Sequence, residues 1–204
     1  MPMDLANYLK RTLAIAQAGK VYGKDVYDQE RYCELEKITF DMLSSISGQD
    51  QRFVQNFFAE EKGYPTPKVD VRAFIRHESS VLLVQDKKSK EWSLPGGYAE
   101  VGFSPKENII KEVKEETGLL VKVETLSQLI DTDKMNDGNK PIQYYKLIFT
   151  CSVVSGTIHQ TDDLGEISKV DFFSIHELPK LSTRRTTKEQ LLSLMKNNHN
   201  LKLD

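Results

Sequence analysis

Residues 92–119 read Trp92-Ser-Leu-Pro-Gly-Gly97-Tyr-Ala-Glu-Val-Gly-Phe103-Ser-Pro-Lys-Glu107-Asn-Ile-Ile-Lys-Glu112-Val-Lys-Glu115-Glu116-Thr-Gly118-Leu119. Ser104 followed three residues later by Glu107 is a capping box, and Pro105 stands at the first helical position, where a missing N–H costs nothing. Gly118 suits the left-handed residue that ends a helix. One helix is therefore predicted over 104–117. On it, Glu112, Glu115 and Glu116 fall at i, i+3 and i+4, within one arc of about 100°. Ile109, Ile110, Val113 and Thr117 take the neighbouring arc as the core-facing stripe.

Three carboxylates on one arc repel each other, and they lie toward the helix C-terminus, where the macrodipole disfavours negative charge. A solvated acidic face neutralised by Lys111 and Lys114 would account for them; so would a bound cation. Hard oxygen donors at this density suit Mg2+ or Mn2+ rather than zinc. The Pro95-Gly96-Gly97 entry favours the second reading, because backbone there approaches a ligand closely and a carbonyl adds an oxygen donor.

From Gly97 to Leu119 the chain resembles the Nudix box: glycine, five residues, glutamate, seven residues, then Arg-Glu-apolar-any-Glu-Glu-any-Gly-apolar. Lys111-Glu-Val-Lys-Glu-Glu-Thr-Gly-Leu119 matches the closing run. Two positions depart from it. Phe103 stands where the family usually has glutamate, and Lys111 where it usually has arginine. The resemblance implies a Nudix α/β/α sandwich with a mixed sheet, an α+β fold. It also implies a metal-dependent pyrophosphohydrolase of a nucleoside diphosphate linked to another moiety. Gly97, Glu112, Glu115 and Glu116 would hold Mg2+ or Mn2+. Glu166, in the loop Thr161-Asp-Asp-Leu-Gly-Glu166, is the candidate base beyond the box; a polar turn explains the same letters.

Outside the box, residues 1–64 read as a small helical module and 67–204 as the hydrolase domain. Leu5, Leu9, Leu13 and Ala16 form one apolar stripe ending near Gly19. Tyr32, Leu35, Ile38, Met42 and Ile46 form a second, closed by Ser47-Gly48, and Phe53, Val54, Phe57 and Phe58 a third ending at Gly63. Helices this short hold little core, so a partner surface is expected, and a homodimer supplies one. After Gly63-Tyr-Pro-Thr-Pro67 the period changes to two. Strands are predicted over 69–76, with Asp70, Arg72 and Arg76 on the polar side, and over 80–84, 121–129, 143–154 and 169–173. Short helices are predicted over 175–178 and 187–196.

The helical module, the Val-Asp-Val-Arg72 strand and Arg184-Arg185-Thr-Thr-Lys-Glu-Gln190 extend the resemblance to a bacterial Nudix subgroup that includes CDP-choline pyrophosphatases. That implies CDP-choline or CDP-ethanolamine as substrate, with CMP and a phosphoalcohol as products. It also implies a dimer and a 3′-exoribonuclease side activity on single-stranded RNA. ADP-ribose is the alternative substrate, and a non-catalytic nucleotide sensor the alternative of another class, disfavoured because all three helix carboxylates are kept. Arg72 is a candidate for a substrate phosphate or base. Phe103 is a candidate aromatic face for a quaternary ammonium; a hydrophobic staple on the helix's first turn explains it as well. Arg184 and Arg185 suit either a phosphate or an ion pair, and one of Tyr144 and Tyr145 suits a base or the core.

Composition sets limits on partners. The chain has 204 residues, 28 Lys+Arg against 30 Asp+Glu and a net charge of −2, so no basic track is present for duplex DNA. No apolar run approaches a membrane span. The two cysteines, Cys33 and Cys151, lie far apart and read as two buried thiols in a reducing compartment. With no h-region at the start, a cytoplasmic location is expected.

Overall fold

The computed structural model describes residues 5–48, 50, 52–55, 64–135, 143–158, 166–196 and 201–203. It divides into two compact units, Met1–Lys68 with Asp131–Tyr144, and Val69–Ile130 with Tyr145–Asp204.

In the first unit, helix α1 (Leu5–Tyr22) packs on α2 (Val26–Ser47). Leu9, Leu13, Phe40, Leu43 and Val54 form their core. The helices cross closely because a Cβ on Gly19 would stand 2.5 Å from the Tyr32 ring. Asp25 caps α2 by accepting the Asp28 N–H, and Gly48 ends it in the left-handed region. The apolar stripe predicted for α2 is not its buried face. Thr39, Phe40 and Leu43 are buried, whereas Ile38, Met42 and Ile46 stay 47, 48 and 37% exposed. α2 is apolar on two sides, and α1 covers one of them. Of the third stripe, Val54 is buried and Phe53 exposed, while Phe57 and Phe58 lie outside the described residues.

The second unit is built on a sheet of seven strands among the described residues. These are β1 (Lys68–His77), β2 (Ser80–Asp86), β3 (Trp92–Ser93), β4 (Leu120–Asp131), β5 (Tyr144–Ser155), β6 (Ile167–Ser174) and β7 (Lys202–Leu203). The order is β3-β2-β1-β5-β4-β7, with β6 also paired to β2. β2 runs antiparallel to β1, β3 and β6, and β4 parallel to β7, which makes the sheet mixed. Helix α3 (Pro105–Thr117) buries Ile109 and Val113 against Val71, Ala73, Leu82, Val84 and Phe149. Each such side chain contributes about 1.5–3 kcal/mol by leaving water. The single turn α4 (Thr132–Met135) belongs to the first unit, while Lys188–Lys196 forms α5 of the second.

The capping box of α3 forms as its sequence predicts. Ser104 Oγ accepts the Glu107 N–H at 3.2 Å, Glu107 Oε2 accepts the Ser104 N–H at 2.8 Å, and Gly118 closes the helix at φ 76°. Three further expectations fail. Cys33, expected to be buried, is exposed on α2, while Cys151 is buried as expected. Residues 175–178 form a turn, closed by the Glu177 N–H on Ser174 O, instead of a helix. On β1 the supposedly polar side is buried too: Asp70 is 6% and Arg72 7% exposed. β1 is an interior strand between β2 and β5, so alternation of letters does not mean alternation of exposure.

Candidate active site

Segment 95–99 lies along β1 as an irregular extra strand. Val71 N–H donates to Gly97 O at 2.8 Å, Ala73 N–H to Pro95 O at 2.9 Å, and Ala99 N–H to Val69 O at 3.0 Å. Gly96 is required here, with φ 134°, because a Cβ would stand 2.1 Å from Val71 O. At Gly97 a Cβ would come within 2.9 Å of Glu112 Oε1. The glycine pair thus brings backbone against the α3 carboxylates, and Gly96 N–H donates to Glu116 Oε2 at 2.8 Å.

Beneath the pair lies Arg72. Its Nε and Nη2 donate to Asp70, the latter at 2.8 Å, and its Nη1 donates to Leu94 O at 3.2 Å. Burial opposes its charge, but Asp70, Glu116 and Glu112 together hold its pKa above the ordinary value. Burial also raises Glu112, with Arg72 opposing and Glu115 reinforcing the shift. Glu116 is pushed up to about 7, first by burial, against the pull of Arg72 and the Gly96 N–H.

Of the residues expected in the site, Gly97, Glu112, Glu116 and Arg72 are brought together. Glu115, on the same arc, is exposed and 3.8 Å from Lys111. Gly97 O already accepts one hydrogen bond from Val71, leaving one lone pair for a ligand. Glu166 is exposed at the foot of β6, with its carbonyl accepting from Lys87 N–H. No described contact joins its carboxylate to the helix acids, and the rest of its loop, 161–165, lies outside the described residues. Phe103 is 48% exposed, with Lys111 Nζ 5.7 Å from its ring centroid. It has no staple partner: the position that would face it holds Asn108, buried and bonded to Glu100, Phe103 and Ser104 backbone.

One contributor was missed from sequence. Glu100 pairs with Lys111 at 2.6 Å, raising the Lys111 pKa, and its charge also reaches Glu112. Its position three residues after Gly97 was the available signal. Arg185 forms an ion pair with Asp86 at 3.2 Å, and its charge reaches Glu116. Its sequence neighbours gave no hint which of the two arginines would face the site.

Among the described residues no three acidic, imidazole or thiol groups form a finished metal cage. The donor set nevertheless fits a hard divalent cation. Its members are carboxylate and backbone oxygens, and burial, which Arg72 only partly offsets, disfavours the charged form of two of the carboxylates. A stability test follows for the metal-free protein. Glu116 holds its proton more tightly folded than unfolded, so the stability it adds is present below about pH 4.5 and lost as pH rises through about 7. In chelator at pH 8, Glu116→Gln should unfold at higher temperature than the unaltered protein, by on the order of 1 kcal/mol after screening. The gap should close by about pH 4.

A mixed sheet carrying a capped helix with three acids over a glycine loop is the architecture of a pyrophosphate-cleaving hydrolase. Residues 66–195 match the NUDIX domain family, and residues 3–58 match the family described as UDP-X-like, N-terminal oligomerisation domain. The chain belongs to the Nudix hydrolases, which act on pyrophosphate bonds. It is 42% identical over 91% of its length, and 88% of the relative's, to the "Putative ADP-ribose pyrophosphatase YjhB" of Bacillus subtilis (strain 168). Among solved structures it resembles a UDP-X diphosphatase, with TM-score 0.64, 38% identity and 98% of each chain covered. It also resembles an ADP-ribose pyrophosphatase from Streptococcus suis 89-1591, with TM-score 0.60, 35% identity, and 68% of this chain and all of the other covered. The CDP-choline and RNA expectations find no support among these relatives; the ADP-ribose alternative does. Among the described residues no helix is long and apolar enough to cross a membrane.

Proposed function

We propose that this protein hydrolyses the diphosphate of ADP-ribose, releasing AMP and ribose 5-phosphate. The observation that carries this reading is the meeting of Glu112 and Glu116 at the Gly96–Gly97 loop, in a chain that is similar over nine-tenths of its length to an ADP-ribose pyrophosphatase-like protein. Glu112, Glu115 and Glu116 would hold Mg2+ or Mn2+, with the free lone pair of Gly97 O as a further donor. Such an ion supplies charge neutralisation at the diphosphate and acidifies the attacking water. Arg72 stays with Asp70 and sets the carboxylates, while Arg185 offers its charge at the rim. Glu100 engages Lys111 at 2.6 Å, a shorter contact than the 3.8 Å between Lys111 and Glu115. Glu166 remains a candidate base and Phe103 a candidate contact for the leaving moiety.

The test is a panel of ADP-ribose, UDP-glucose and CDP-choline with purified protein and Mg2+, with products separated by chromatography. ADP-ribose should exceed CDP-choline in kcat/KM by at least about tenfold. A CDP-choline preference would sink the substrate assignment and leave the Nudix chemistry standing. A UDP-linked derivative is the second reading, favoured by the end-to-end likeness to the UDP-X diphosphatase.

The second apolar side of α2 supports a homodimer through the helical module, as does the match to an oligomerisation domain. Ile38→Glu with Met42→Glu should convert a dimer to a monomer by light scattering, because each places an unpaired charge in an apolar contact. A double variant that remains dimeric would place the interface elsewhere.

A further inference from the structure

The NUDIX chemistry uses Gly96 and Glu116, but what holds their contact in place comes from the other end of the domain. Leu94 is fully buried, so both its backbone polar groups need partners. β3 ends at Ser93, and the next N–H finds a side chain in place of a ladder partner: it donates to Thr186 Oγ1 at 3.0 Å. Its carbonyl accepts from Arg72 Nη1 at 3.2 Å. One residue is thus gripped from two sides, by groups 22 positions before it and 92 after it.

Thr186 is itself held rigidly. It is fully buried, and its N–H donates to Ser182 O at 2.7 Å. Ser182 N–H donates to Trp92 O at 2.8 Å, and Trp92 N–H to Lys180 O at 2.9 Å, so segment 180–186 runs beside β3. Lys146 Nζ, from β5, binds the carbonyl of Arg185. On the next position Thr187 caps α5, accepting the Gln190 N–H at 3.2 Å. The threonine hydroxyl is therefore delivered by the packed fold and has little freedom to follow a loop that moves.

From Leu94 the geometry is relayed forward. Pro95 has a φ fixed by its ring and its carbonyl is tied to the Ala73 N–H at 2.9 Å, so a tilt at Leu94 has little room to be absorbed before Gly96. Gly96 has no slack of its own, packed against Val71 O, and its N–H meets Glu116 Oε2 at 2.8 Å. We propose that Thr186 is a positioning residue of the hydrolytic site: with Arg72 it clamps Leu94 and so fixes the loop peptide that presents the Gly96 N–H to Glu116.

The proposal rests on Glu116 belonging to the reaction centre, as argued above, but one arm of its test does not. Thr186→Val keeps the shape and removes the acceptor; Thr186→Ser keeps the acceptor. In metal-free full-length protein, amide exchange followed by NMR should accelerate at Gly96 by at least about tenfold in the Val variant and stay near the unaltered rate in the Ser variant. With Mg2+, kcat on the best substrate of the panel should fall by about 10–100-fold in the Val variant, with KM within about twofold. The Ser variant should recover most of that loss. A clamp that serves stability alone would lower the melting temperature of the Val variant without this separation of kcat from KM. Unchanged Gly96 exchange in Thr186→Val, or equal kcat losses in the Val and Ser variants, would overturn the proposal. If the unaltered protein turns over nothing in the panel, the functional reading fails, and the exchange comparison still decides the clamp. Should the Val variant not fold, Thr186→Cys, with its weak acceptor of similar size, takes its place in the same comparison.

Discussion

Glu116→Gln is expected to lower kcat on a nucleoside diphosphate sugar by on the order of 10³-fold, with KM changed less than about threefold. The amide keeps the shape and an oxygen able to accept the Gly96 N–H, so loop and helix stay as they are. What disappears is a negative charge aimed at the place where a divalent cation would sit, and with it the charge stabilisation that develops in the transition state. Steady-state kinetics over a range of Mg2+ concentrations checks this. The loss should persist at saturating Mg2+, since an extra free ion does not replace a fixed ligand. Near-normal kcat in this variant would remove Glu116 from the metal set. The same substitution should stabilise the metal-free protein above neutral pH. A residue that costs stability in the empty fold and is indispensable for turnover is one kept for its chemistry.

The signals that proved legible in the sequence are local ones. The Ser104–Glu107 box, Pro105 and Gly118 act within one helix, and they appear in the structure at the positions their chemistry demands. The carboxylate arc is likewise a matter of helical spacing. What spacing could not supply was the ranking within the arc. Glu112 and Glu116 are half-buried and Glu115 exposed because segment 95–99 is laid along β1, a pairing of residues more than twenty apart. The same limit explains α2: periodicity reveals an apolar stripe but not which of two stripes α1 will cover. At 175–178 a few apolar letters imitated a helical turn where β6 ends. The place of Arg185 was equally illegible, because it is set by the return of the chain past β3 and by the ion pair with Asp86, a residue 99 positions earlier.

Arg72→Met is the substitution expected to cost the most stability. The guanidinium is buried, binds Asp70 through two nitrogens and closes the Leu94 carbonyl with a third. An apolar side chain of similar length leaves Asp70 as a buried acid without its partner, and breaking such a pair costs about 3–5 kcal/mol. It also removes the nearest positive charge from Glu112 and Glu116, which raises their mutual repulsion in the metal-free state. Denaturant unfolding in chelator should therefore show a loss at the upper end of that range. Lysine is a poor substitute, since one ammonium cannot satisfy Asp70 and Leu94 O in the fork geometry that arginine provides. Adding Asp70→Asn to Arg72→Met should return on the order of 1–3 kcal/mol, because the second change takes away the stranded charge. Mg2+ should raise the melting temperature of Arg72→Met more than that of the unaltered protein, since a cation at the carboxylates supplies part of the missing positive charge. If Arg72→Met unfolds within about 1 kcal/mol of the unaltered protein and Asp70→Asn changes nothing in its background, the pair is not a structural keystone of the site. Arg72 would then be free to be a direct substrate ligand.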